Sequence, residues 1–136
     1  MPRLAIADFV GDFFRRALFQ EDDAVAISAL ADELSEDAQI NINGNCLNPT
    51  LFREVITSQF RDVFLARVIS ITDLNVILLN PEGTAGVVAQ NSKYETKGKA
   101  DGQVLVQSAT TIVQVEEQNG KKVVMSIFEA QTVDEQ

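Results

Sequence analysis

The sequence predicts an α+β fold in which helices come first and an antiparallel meander follows. Three observations point there. Up to about residue 65, apolar side chains recur at spacings of three and four. Beyond it the period switches to two, the signature of strands with two distinct faces. Asn119-Gly120 lies between two alternating runs and is the strongest short hairpin signal in the chain.

Residues 4–19 place Ile6, Phe9, Val10, Phe13, Phe14, Ala17 and Leu18 on one broad face, with Asp8, Asp12, Arg15 and Arg16 opposite, as a core-facing helix requires. Asp22 or Asp23 caps a second helix, on which Val25, Ala29, Leu30 and Leu34 recur along one side. That helix stops near Ser35-Glu36-Asp37, and Asp37 suits a cap of the helix-to-strand turn. Strict alternation over 38–43 then gives a short strand, with Ala38, Ile40 and Ile42 inward and Gln39, Asn41 and Asn43 facing solvent or the rim. Asn48 followed by Pro49 starts a third helix, because the asparagine caps and proline fits the first turn. Its stripe is Phe52, Val55, Ile56, Gln59 with Phe60, Val63 and Phe64. Strands are expected at 66–79, 85–95, 104–117 and 121–131, separated by the turn "NPEGT" and the polar "TKGKADGQ". The alternation of the first breaks near Asp73 and Asn75, where a bulge fits. A type I′ turn at Asn119-Gly120 sets Gln118 opposite Lys121, Val115 opposite Val124 and Val113 opposite Ser126.

The chain has 136 residues, 46% of them hydrophobic and 23% charged, which suits one soluble domain spanning 1–136. Its net charge of −9 opposes nucleic acid and anionic membranes as partners. A single cysteine, Cys46, excludes an intrachain disulfide and fits a reducing, cytoplasmic setting. The absence of histidine excludes a Cys-His nucleophile and leaves only carboxylates and one thiol for a transition metal, so neither metal nor cofactor is expected. No signal peptide, membrane span, glycine-rich phosphate loop or nucleophile elbow is present.

In "DDAVAISALADELSEDAQININGN" (22–45), "NPTLFREVITSQFRDVF" (48–64) and "IVQVEEQNGKKVVMSIFEAQ" (112–131), the element order resembles the nuclear transport factor 2-like superfamily, which includes the SnoaL-like proteins. The match rests on pattern and order over nearly the whole chain, without a diagnostic signature. It implies three N-terminal helices packed on a strongly curved antiparallel sheet, a cone-like α+β barrel with a pocket at its mouth and frequent dimerisation through the outer sheet face. Enzymes of this kind place a general base, often with a tyrosine or acidic donor, on the concave face.

Alternation divides the terminal hairpin into two faces. Thr111, Val113, Val115, Val124, Ser126, Phe128 and Ala130 form the more apolar one, which is expected to face the core. Thr110, Ile112, Gln114, Glu116, Val123, Met125, Ile127 and Glu129 form the outer one. On that parity no titratable group points inward. Glu129 sits where the resemblance implies an acid, and it points outward unless a bulge shifts the register. The candidate catalytic residues are therefore Glu129, Tyr94 (the only tyrosine, a donor to an oxyanion) and Asp37. Phe13, Phe14, Phe52, Phe60, Phe128, Val113 and Ser126 are the candidate pocket lining, against the plainer reading that phenylalanines fill core. The outer face is too apolar for open solvent, and Ile112, Gln114, Val123, Met125 and Ile127 are its candidate dimer contacts.

Three functions stand open, the first ranked ahead of the second because no titratable group is expected on the inner hairpin face. The first is a dimeric protein binding a hydrophobic small molecule in an apolar pocket. The second is a cofactor-free isomerase, cyclase or dehydratase acting on a polyketide- or terpenoid-like substrate through Glu129, Tyr94 or Asp37. The third is a protein-interaction module. An inward acid with a raised pKa would favour the second; a dry cavity without one would favour the first; a packed interior would favour the third.

Overall fold

A computed structural model describes residues 4–134. Its elements are α1 (Ala5–Leu18), α2 (Asp23–Asp32), β1 (Leu34–Ile42), β2 (Asn45–Leu47) and α3 (Pro49–Glu54), which runs on as a π-helical segment, Val55–Phe60. Four long strands complete it: β3 (Phe64–Leu78), β4 (Gly86–Gly98), β5 (Val104–Gln118) and β6 (Lys121–Val133). They form one curved six-stranded sheet in the order β2-β1-β6-β5-β4-β3, with β2 and β3 as free edges. The architecture is the expected α+β one, but the sheet is not closed into a barrel.

The local signals explain most of the boundaries. Asp22 accepts the Ala24 amide at 3.0 Å to start α2, and Asn48 accepts the Leu51 amide at 2.7 Å with Pro49 in the first turn of α3. Four expectations shift. The second helix ends before Leu34, which opens β1; the Asp37 amide donates to the Ser35 hydroxyl within that strand, so Asp37 caps nothing. Val25 lies on the exposed side of α2, whose buried residues are Ala26, Ala29 and Leu30. Val63 and Phe64 lie past the third helix, and Phe64 already belongs to β3. β1 pairs with β6 in parallel, while every other neighbouring pair is antiparallel.

The core lies between α1 and the sheet. Ile6, Val10, Phe13, Phe14 and Ala17 pack on Val88, Val113, Val115, Val124 and Ile127. At Gly86 the helix and the neighbouring strand come so close that a Cβ would strike the Ile77 carbonyl oxygen and the Ile6 side chain. Along β3 the break near Asp73 and Asn75 is a bulge at Leu74, and a second bulge falls at Ile69.

The register of β5 against β6 decides what the sheet presents inward. Gln118 pairs with Lys121 and Val115 with Val124, as expected. Gln114 then pairs with Ser126, leaving Met125 as an extra residue, and Val113 faces Ile127 rather than Ser126. A one-residue bulge exchanges the two faces of everything beyond it. Ile127 is 1% exposed in the core, while Phe128 is 61% exposed on the outer face, the reverse of the parity reading. Ser126 shares that outer face, since its neighbour in β1 is the exposed Gln39.

Candidate active site

The concave faces of the three central strands change character along their length. β4 presents Val88, Gln90, Ser92, Tyr94 and Thr96 inward in succession. β5 presents Val115 and Val113, then Thr111 and Ala109. β6 presents Val124 and Ile127, then Glu129 and Gln131. The apolar ends lie beneath α1 and form the core; the polar ends face a cavity beyond it.

That cavity has a volume of about 140 Å³. Phe14 and Leu18 of α1, Ile42 of β1 and Leu47 of β2 supply part of its wall, and Phe52, Val55, Ile56 and Phe60 supply the rest. The polar groups at its floor are Tyr94, Glu129 and Gln131. Each wall element has a local reason. The π-helical segment is held open by an Arg61 amide to Ile56 carbonyl bond of 2.9 Å and by hydroxyls that turn back onto the chain, Thr57 to Arg53 at 2.9 Å and Ser58 to Glu54 at 2.6 Å. It ends at Arg61, whose guanidinium is buried and bonds the Ala17 carbonyl at 3.1 Å and Asp23 at 2.9 Å, tying the segment to both other helices.

Glu129 reaches this floor because of the bulge at Met125. Its strand neighbours are Ile42 and Thr111. Its carboxyl makes no side-chain hydrogen bond among the described residues, and most of the cavity wall is hydrocarbon. Burial without a compensating charge disfavours the ionised form, so the carboxyl is pushed up from 4.5 to about 7. Tyr94 is shifted upward too, first by burial and then by the negative charge of Glu129, against a lowering hydrogen bond from Gln131, and it stays protonated at physiological pH. Its hydroxyl accepts from Gln131 Nε2 and donates to Gln107 Oε1 over 3.3 Å. Gln131 Nε2 also donates to Gln107 Oε1 at 2.8 Å, and Gln107 Nε2 to Thr96 Oγ1 at 2.9 Å. The tyrosine ring rests on Phe19 with centroids 5.1 Å apart. A carboxyl with a raised pKa and a neutral phenol thus share one small apolar space, an arrangement chemically able to accept a proton and to donate a hydrogen bond.

The structure gathers some of the candidate residues and disperses others. Glu129 and Tyr94 meet in the cavity, whereas Asp37 is exposed on β1, outside it. Phe14, Phe52 and Phe60 line the wall; Phe13 and Val113 are fully buried in the core; Phe128 and Ser126 are on the far side of the sheet. Of the outer-face residues, Ile112 is 48% exposed and Gln114 and Met125 are partly so, but Val123 is buried and Ile127 is core. The sequence reading did not name Gln131, Leu18, Ile42, Leu47, Val55 or Ile56 as cavity lining, although it placed Leu18, Ile42, Val55 and Ile56 on apolar faces. For Gln131 the signal existed: it is two residues beyond Glu129 on the same strand face. A wider groove of about 510 Å³ between α1 and the β5–β6 turn is lined by Asp8, Asp12, Asp32, Glu33, Lys121 and Lys122. It is open and charged, with Asp12 bound to Arg15 and Glu33 to Arg16, and offers no such enclosure. No helix among the described residues is long and apolar enough to cross a membrane.

No protein-family model matches the chain, and no curated protein is similar to it in sequence. Solved structures do resemble it. A conserved protein from Planctomyces limnophilus superposes with a TM-score of 0.74 at 13% identity, over 97% of this chain and 100% of that one. A ketosteroid isomerase-like protein from Erwinia carotovora atroseptica gives 0.67 at 14%, over 94% and 95%. The hexachlorocyclohexane dehydrochlorinase LinA-type3 from Novosphingobium barchaimii gives 0.66 at 12%, over 98% and 89%. Helices, sheet order and these superpositions together give the chain the nuclear transport factor 2-like fold that its sequence resembles.

Proposed function

We infer that the protein is a cofactor-free proton-transfer enzyme acting on a small hydrophobic carbonyl compound, of isomerase, cyclase or dehydratase type. The observation that supports this reading is the Glu129 carboxyl, unpaired on the floor of an apolar cavity beside the Tyr94 hydroxyl. The ionised Glu129 takes a proton from the carbon next to the carbonyl; the C–H electron pair becomes a C=C bond, and the carbonyl oxygen gains the charge. Tyr94 donates to that oxygen. Its bond to Gln107 is long, so redirecting the hydroxyl proton costs little, and Gln131 holds the phenol in place. Return of the proton to another carbon completes an isomerisation, and loss of a β-hydroxyl as water completes a dehydration. Protein cavities of about 150 Å³ hold benzene, so a cavity of about 140 Å³ suits a single ring.

The test is hydrogen–deuterium exchange at the α-carbons of monocyclic ketones and enones in deuterated buffer, followed by NMR. Catalysed exchange that disappears in the Glu129→Gln variant supports the reading. Exchange equal in the two proteins, or none across such a panel, overturns it.

The outer sheet face supports a second copy of this chain as partner. Ile112 and Phe128 are cross-strand neighbours there and both are exposed, with Ala89 beside Ile112 on β4. Two such faces brought together by a two-fold axis would cover them. Sedimentation velocity over a concentration series checks this, and a monomer throughout refutes it.

A further inference from the structure

Next to the main cavity, and sharing Phe14, Leu18, Tyr94 and Glu129 with it, lies a recess of about 20 Å³ whose polar border is Ser92, Tyr94, Thr111 and Glu129 and whose apolar border includes Phe14 and Phe19. It is the size of one water molecule, which needs at least roughly 10–15 Å³ and two or more polar partners. Thr111 is 2% exposed, and its hydroxyl has no hydrogen-bond partner among the described residues. An unpaired hydroxyl of this kind carries the full cost of its lost hydration. Thr111 is the residue directly across from Glu129 in the β5–β6 ladder, so the two side chains stand side by side over the recess without bonding each other. Ser92, buried on β4, completes the polar border.

We propose that one water molecule occupies this recess, bonded by the Thr111 and Ser92 hydroxyls and donating to the rear oxygen of the Glu129 carboxylate. This assignment rests on the reading of Glu129 as the base and makes Thr111 a positioning residue acting through the water. The water fixes the rotation of the carboxylate, so that its other oxygen faces the large cavity, and it solvates a charge that the hydrocarbon wall does not. No bond is broken at the water, which is neither consumed nor ionised. Among the described residues, the other titratable group lining these spaces with Glu129 is Tyr94 on β4; α1, β1, β2, α3 with its π-helical segment, β5 and the rest of β6 contribute apolar or uncharged side chains.

The experiment is the 13C NMR titration of the Glu129 carboxyl in the substrate-free protein, its resonance assigned by Glu129→Gln. Thr111→Val preserves shape but removes the water's anchor, and it should raise the titration midpoint by about one pH unit, since a bond to the charged form is lost. Thr111→Ser, which keeps the hydroxyl, should restore it. A high-resolution crystal structure of the unsubstituted protein should show a water peak within hydrogen-bonding distance of Thr111 Oγ1 and Glu129. An unmoved midpoint in Thr111→Val, or a recess without that peak, overturns the proposal. Because the titration is read without substrate, its result stands apart from the deuterium-exchange test of Glu129 as a base.

Discussion

Replacing Glu129 by glutamine should make the protein more stable above neutral pH, and the size of the gain follows from the carboxyl's surroundings. The group ionises at about 7 in the fold against 4.5 as its ordinary value, a difference of about 2.5 units. Because the folded-state value is the higher one, the unfolded chain releases its proton first as pH rises. Stability contributed by the neutral carboxyl is therefore intact below about pH 4.5 and is lost progressively up to about pH 7. Two-state linkage gives a loss of about 2.5 kcal/mol between pH 5 and pH 8 from this one side chain. Urea unfolding of the parent and of Glu129→Gln at those two pH values, at one protein concentration, isolates it, because every other titrating group is common to both. The parent should lose about 2.5 kcal/mol more than the variant across that interval. Equal losses would mean that the carboxyl is as open to bulk water in the fold as in the unfolded chain, and the case for a tuned base would fall with it.

Three further outcomes follow from other parts of the structure. Gly86→Ala should cost about 2 kcal/mol in urea unfolding, because the added methyl meets a carbonyl oxygen that cannot move away as well as Ile6; an unchanged midpoint would refute the close approach. Arg61→Ala should cost about 2 kcal/mol, chiefly by leaving the buried Ala17 carbonyl without its donor, and it should loosen the cavity wall, seen as faster amide exchange over residues 55–61. Phe128→Lys should shift sedimentation from dimer to monomer while leaving the circular dichroism spectrum unchanged, since the ring is exposed in the isolated chain.

What could be read from the sequence, and what could not, divides along physical lines. The helix starts at Asp22 and Asn48-Pro49 and the turn at Asn119-Gly120 rest on interactions within four residues, and each stands where expected. The bulge at Leu74 announced itself through a broken alternation. The bulge at Met125 did not, because Val123-Val124-Met125 is a continuous apolar run in which either parity reads well. Its one hint was Phe128, which the unbulged register pushed into a core of small side chains. The third helix was legible at its start but not in its π-helical continuation, which depends on Thr57 and Ser58 bonding backward to the chain. The polar concave face was misleading in a different way. Ser92, Glu129 and Gln131 look like solvent-facing residues by composition, and only the topology, which folds α1, β1 and the third helix over them, makes them interior.

The extra residue at Met125 also bears on how such a chain can change its chemistry. Pairing the same residues one against one, with no bulge, would set Ser126 across from Val113 and turn Phe128 inward and Glu129 to the outer face. Deleting Met125 would instead leave Ser126 across from Gln114 and Ile127 across from Val113, with Glu129 still inward. The inward carboxyl thus depends on a kink in one strand and not on how many residues that strand holds. A change that straightened the ribbon would empty the cavity of its acid without touching a residue that lines it.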